Sequence, residues 1–182
     1  MRFNECPVHG AWLIDPSPHE DSRGRFMRVW CATEFAAQGI DFAPVQANMG
    51  FSRMAGTTRG MHFQIAPHLE GKLVRCTRGA MFDVLVDVRA DSPTYGRWFG
   101  VELTPENARM LYVPPMCAHG YQTLVDDTEM HYMASAAFAP DAARGLRFDD
   151  PEVGVRWPLD ATIVSEQDRR WPYLHGLEDA SR

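Results

Sequence analysis

Short strand-like runs broken by turn residues constrain this chain more than any other feature. Met81 to Val88 alternates: Phe82, Val84, Val86 and Val88 face one way, and Met81, Asp83, Leu85 and Asp87 the other. Lys72 to Cys76 reads as the preceding strand, with Thr77-Arg78-Gly79-Ala80 as the turn between them. Arg97 to Leu103, Met110 to Val113 and Glu129 to Ala134 read as further strands, the second stopped by Pro114-Pro115. The persuasive helical pieces are short: Ala32 to Gln38, ended by Gly39, and a turn near Pro105-Glu106-Asn107. Many short strands with frequent turn residues predict an all-β sandwich or barrel. From Pro140 onward the prolines Pro151, Pro158 and Pro172 recur, so this part is expected to wrap over the barrel as irregular segments and short helices.

A length of 182 residues predicts one domain, 1–182, with a real hydrophobic core. The net charge of -6 argues against a general nucleic-acid or anionic-membrane surface, while basic residues inside a cleft remain free to hold an anionic small molecule. No apolar run approaches the ~20 residues of a membrane span. Met1-Arg2-Phe3-Asn4-Glu5 lacks the apolar region of a signal peptide, so a cytoplasmic location is expected. Cys6, Cys31, Cys76 and Cys117 form no CxxC pair and no zinc spacing, and are expected to be reduced thiols. Cys117 shares a strand face with His119, but no activating context accompanies it, and a catalytic role is not expected.

The chemistry concentrates in Arg59-Gly60-Met61-His62-Phe63-Gln64 and Lys72. Arginine grips a phosphate or carboxylate, histidine takes a proton near neutral pH, and lysine holds a developing oxyanion. With Glu70 as the one nearby acid, a pocket for an anionic ligand accounts for all three. A metal site must be weighed, because β-barrels of the cupin type often carry HxH, then Glu, then a later His. Here Gln64 stands where the second imidazole is expected, and Gln is a poor transition-metal ligand. Lys72 would add a positive charge beside the cation, so neither a metal nor another cofactor is expected. On spacing alone Tyr132 reads as a core residue, and Ser165-Glu166-Gln167-Asp168 reads as a helix N-cap region.

Further motifs run along nearly the whole chain. They are Gln46-Ala47-Asn48, Gly56-Thr57-Thr58-Arg59-Gly60-Met61-His62-Phe63-Gln64, Lys72-Leu73-Val74 and Phe82-Asp83-Val84 running to Val86-Asp87-Val88-Arg89. Ser92-Pro93-Thr94-Tyr95-Gly96, Tyr112-Val113-Pro114, Ala118-His119-Gly120-Tyr121, Asp149-Asp150-Pro151, Trp157-Pro158 and Ser165-Glu166-Gln167-Asp168 follow. In this order and spacing the chain resembles the dTDP-4-dehydrorhamnose 3,5-epimerase family, a non-metal branch of the cupin barrels.

The resemblance implies an all-β, cupin-like jelly-roll barrel with short peripheral helices. It implies an isomerase that inverts C3 and/or C5 of a nucleotide-linked 4-keto-6-deoxyhexose without a cofactor. Both carbons lie α to the C4 ketone, so their protons are removable by enolisation. By this resemblance His62 matches the base, Asp168 its carboxylate partner, Lys72 the enolate holder and Tyr132 the acid on the opposite face. His119 matches a pocket residue near the sugar; Arg59 and Arg23 match sugar-nucleotide contacts; Gln46 and Asn48 match a polar contact pair. Phe138 stands where the family usually has a stacking tyrosine. A homodimer with an exchanged N-terminal strand is implied as well.

Four positions depart from the family pattern: Arg28 and Ala143 where glutamate is usual, Gln167 for lysine and Met116 for glycine. All lie outside the His-Lys-Tyr-Asp set, and by the resemblance three of them touch nucleotide- or sugar-binding positions. They raise the expectation that the chemistry is kept while the nucleotide or sugar differs, against the alternative that dTDP is retained. Two rival functions stay open: a metal-dependent cupin oxygenase or isomerase using His62, Glu70 and His119, and a sugar-nucleotide binding or ketoisomerase-like relative without epimerase activity.

Overall fold

The computed structural model describes residues 1–177; the last residues of the expected 1–182 domain lie outside them. The strands are β1 (Arg2–Glu5), β2 (Trp12–Asp15), β3 (His19–Asp21), β4 (Gly24–Phe26), β5 (Gln46–Ser52), β6 (Thr58–Gln64) and β7 (Lys72–Arg78). They continue as β8 (Met81–Asp87), β9 (Trp98–Leu103), β10 (Met110–Val113), β11 (Cys117–Thr123), β12 (Thr128–Ala134) and β13 (Ala143–Gly145). One α-helix, α1 (Ala32–Ala36), precedes a turn closed by Gly39, whose φ of 73° lies in the left-handed region that glycine tolerates. The expected helix over Ala32–Gln38 therefore stops two residues early.

Two antiparallel sheets face each other as a jelly-roll barrel. One has the order β1-β2-β10-β7-β12-β5 and the other β13-β6-β11-β8-β9, while β3 and β4 form a separate hairpin. Three apolar layers result. Val74, Cys76, Met81, Leu85, Leu111 and Met130 fill the space between the sheets. Val84 and Val86, on the opposite face of β8, pack with Met61, Phe63, Leu146 and Leu174 under the C-terminal segments. Ile14, Leu73 and Met110 pack under Phe35 of α1 and Phe42. The alternation in β8 thus serves two layers, with Asp83 and Asp87 on the inner side.

The segment Ser165–Asp168 forms a turn rather than a helix. The Asp168 N–H still donates to Ser165 Oγ at 3.0 Å, as an N-cap would arrange, but Pro172 stops helical continuation within one turn.

Candidate active site

β6 and β11 meet at a bulge. His119 pairs with His62 and Tyr121 with Arg59, so one residue of β11, Gly120, faces two of β6. Glycine is required on both strands. A Cβ on Gly60, whose φ is 120°, would lie 2.5 Å from Gly120 Cα, and one on Gly120 would lie 2.6 Å from Arg59 O. The bulge has a chemical consequence. Residues three apart on a regular strand face opposite sides. Here Arg59 and His62 line the same cavity, of about 820 Å³.

His62 Nε2 lies 2.6 Å from Asp168 Oδ1. The His62 side chain is 45 % exposed while that of Asp168 is 6 % exposed, so a buried carboxylate backs an imidazole that reaches the cleft. The Gly60 N–H donates to Asp168 Oδ2 at 3.3 Å, and Trp171 Nε1–H to Oδ1 at 3.3 Å. Burial pushes the Asp168 carboxyl up, but the bond and charge of His62, the Gly60 N–H and the Ser165 hydroxyl outweigh it and hold the group ionised below its ordinary range.

The facing sheet supplies the other half. Ala134 pairs with Lys72 and Tyr132 with Val74, so Lys72 and Tyr132 project from one face of β7 and β12. Lys72 Nζ lies 5.9 Å from the centre of the Tyr132 ring and 3.4 Å from Glu70 Oε2. Burial, then the charge of Glu70, raises the Tyr132 phenol and keeps it protonated. A second cavity, of about 430 Å³, shares Asn48, His62, Lys72, Tyr132 and Gln167 with the first and continues it past Gln46, Phe138 and Trp171.

The chain matches the family model for dTDP-4-dehydrorhamnose 3,5-epimerase over residues 5–176. The dTDP-4-dehydrorhamnose 3,5-epimerase of Sinorhizobium fredii (strain NBRC 101917 / NGR234) is 45% identical over 175 residues, covering 96% of this chain and 90% of that protein. The chain belongs to the dTDP-4-dehydrorhamnose 3,5-epimerase family. It is accordingly an isomerase. The dTDP-4-dehydrorhamnose 3-epimerase of Streptomyces niveus is 35% identical, covering 99% of this chain and 87% of that protein. A crystal structure of the Bacillus anthracis str. Ames 3,5-epimerase with TDP and PPi bound superposes with a TM-score of 0.91 at 36% identity, covering 94% of this chain and 98% of that one.

Set against the epimerase family, the structure gathers His62, Lys72, Tyr132, Asp168, Asn48, Arg59 and His119 around one cavity. Gln46 and Phe138 line its continuation. Tyr132, which spacing alone assigned to the core, packs against the inter-sheet layer and also lines the cleft. Arg23 is not brought in. It sits on the β3–β4 hairpin, its side chain 88 % exposed and paired with Asp21, because that hairpin stands apart from both sheets. Of the four departures, Ala143 and Gln167 line the cleft. Arg28 pairs with Glu34 at 3.0 Å outside it, and Met116, whose φ of 57° explains the family's glycine there, packs against the outer layer.

Two further side chains back the residues of the cleft. Asp83 Oδ1 lies 2.8 Å from His119 Nε2, a second and fully buried His–Asp pair. Its signal was an acid in the inner face of an otherwise apolar strand. Trp171 sets its ring edge against His62 at 6.4 Å and fills the space left by Gly145; no motif announced it. His62 and His119 each hold their own aspartate, Gln64 binds backbone, and among the described residues no group of three or more His, Cys, Asp or Glu converges.

Proposed function

We propose that the protein inverts C3 and/or C5 of a dTDP-linked 4-keto-6-deoxyhexose by proton removal and return. The observation that carries this is the half-exposed His62 on buried, ionised Asp168, faced across the barrel by Lys72 and Tyr132. With Nε2–H donated to Asp168, Nδ1 is the lone pair that takes the α proton, and Asp168 stabilises the imidazolium that forms. The electron pair moves onto the C4 oxygen, where Lys72 holds the enolate. Tyr132 returns a proton to the opposite face and is itself reprotonated by solvent, to which the His62 imidazolium releases the proton it took. Arg59 holds the diphosphate, His119 on Asp83 contacts the sugar, Asn48 and Gln46 supply polar contacts, and Phe138 stacks on the nucleobase. None of these steps draws on a cofactor.

Relatives named for dTDP sugars and a TDP-bound relative support retention of dTDP. Of the four departures, Met116 packs away from the cleft, whereas Arg28 directly follows the hairpin proposed to reach the partner's cleft. Relatives named as 3,5- and as 3-epimerases leave both regiochemistries within the proposal. Residues 1–182 act as one domain, within a cytoplasmic homodimer in which the exposed hairpin of Arg23 reaches the partner's cleft. NMR of the sugar nucleotide recovered after incubation tests the activity: inverted C3 or C5 is expected, and unchanged substrate contradicts it. Calorimetry with dTDP, CDP and GDP tests the nucleotide, with clear preference for dTDP expected.

A further inference from the structure

The strap between β12 and the 3₁₀ turn Pro140–Ala142 carries Phe138, a residue 65 % exposed at the mouth of the cleft. An exposed aromatic on an irregular segment holds no fixed position unless its backbone is tied down. Ser135 and Gly71 hold the start of the strap, and at 137–139 the ties are two glutamine side chains. Gln64 Oε1 accepts the Ala139 N–H at 2.7 Å, and Gln64 Nε2 donates to Ala137 O at 3.2 Å and His68 O at 2.9 Å. Gln46 Oε1 accepts the Phe138 N–H at 3.0 Å. Gln64 is buried, at 3 % exposure, so each of these bonds replaces one that water cannot supply.

Gln64 lies two residues beyond His62 on β6, so both project from the same face of one strand. The strand that carries the proposed base therefore also grips the two residues flanking Phe138. We infer that Gln64 is a positioning residue that fixes the exposed Phe138 ring at a set reach from His62, and so sets where the nucleobase of the substrate lies while its sugar meets the base. The inference rests on the nucleotide-sugar reading above. Gln64 also borders the continuation of the cleft, but its amide is spent on the strap, so it acts through Phe138, and that amide cannot be replaced by a group lacking both a donor and an acceptor.

A double-mutant cycle on dTDP affinity tests this, with calorimetry on native protein, Gln64→Met, Phe138→Ala and the double variant. Methionine keeps the volume without the amide. Each single change is expected to weaken dTDP about tenfold, the scale of one lost base–aromatic stack, and the double variant to bind within about twofold of Phe138→Ala alone. A merely structural role predicts losses that multiply, and that result overturns the inference, as does Gln64→Met binding dTDP like the native protein. Should Gln64→Met not fold, Gln64→Leu, which also lacks donor and acceptor, carries the same cycle with the same criteria. Failure of the native protein to bind dTDP overturns the nucleotide-sugar reading and this inference together, whereas native binding with multiplicative losses overturns this inference alone.

Discussion

At the scale of single residues, the His62 imidazole is divided between two environments. Its Nε2 side meets a carboxylate that the fold keeps ionised, and its ring reaches a cleft wide enough for a ligand. Asp168→Asn keeps the shape but offers Nε2 the wrong partner. It is expected to lower kcat about 10²–10⁴-fold with dTDP affinity retained, measured by steady-state kinetics beside calorimetry. Lys72→Met is expected to cost about 10²–10³-fold in kcat, and a variant that lost only affinity would reassign Lys72 to binding. The residues of this site were unevenly legible. His62, Lys72 and Arg59 declared themselves because three basic groups in a strand-rich stretch need an anion. Asp168 and Tyr132 did not, since a turn acid and an alternating aromatic have ordinary structural explanations, and only the family pattern singled them out. Asp83 stayed hidden because its partner His119 is far away in sequence and adjacent only through the β8–β11 pairing.

At the scale of elements, the β6–β11 bulge decides which side chains share the cleft. Gly120→Ala places a Cβ 2.6 Å from both Arg59 O and Met61 Sδ, so a strand must shift. A loss of about 1–3 kcal/mol in urea unfolding is expected, together with reduced activity because His62 moves with β6. Unchanged activity in the folded variant would show that the bulge does not aim His62. The β8–β9 connection depends on Asp87, which accepts from Arg89, Ser92 and Thr94 while fully buried. Burial pushes its carboxyl up, but those bonds outweigh burial and hold it below its ordinary value of 3.8. A carboxyl depressed on folding contributes stability above its unfolded pKa and loses it as pH falls through the folded value. The thermal midpoint of the native protein is therefore expected to fall below about pH 4, and that increment to be absent from Asp87→Asn. Parallel pH dependences would contradict this. The strands themselves were legible because alternation and turn residues mark them locally. The bulge was not, since glycine alone does not say which strand will approach it.

At the scale of the whole molecule, the jelly roll brings a histidine from one sheet to face a lysine and a tyrosine from the other, yet leaves Arg23 on an exposed hairpin. The proposed homodimer would bring Arg23 to a cleft, and light scattering is expected to give twice the chain mass of 20.6 kDa. Mixing Arg23→Ala with His62→Ala subunits is expected to restore about a quarter of native activity, because half of randomly paired dimers hold one intact site of two. No recovery would place Arg23 outside the partner's cleft. Overall architecture was legible from strand spacing and family pattern, whereas the proposed assembly would leave no local trace beyond an exposed hairpin outside both sheets. The central claim is that His62 removes a proton α to a ketone. Its most direct test is incubation of a dTDP-4-keto-6-deoxyhexose in deuterated buffer with native protein and with His62→Ala, read by NMR at C3 and C5. The account predicts deuterium at C3, C5 or both with native protein and none with His62→Ala; no exchange with native protein, or equal exchange with both, would contradict it.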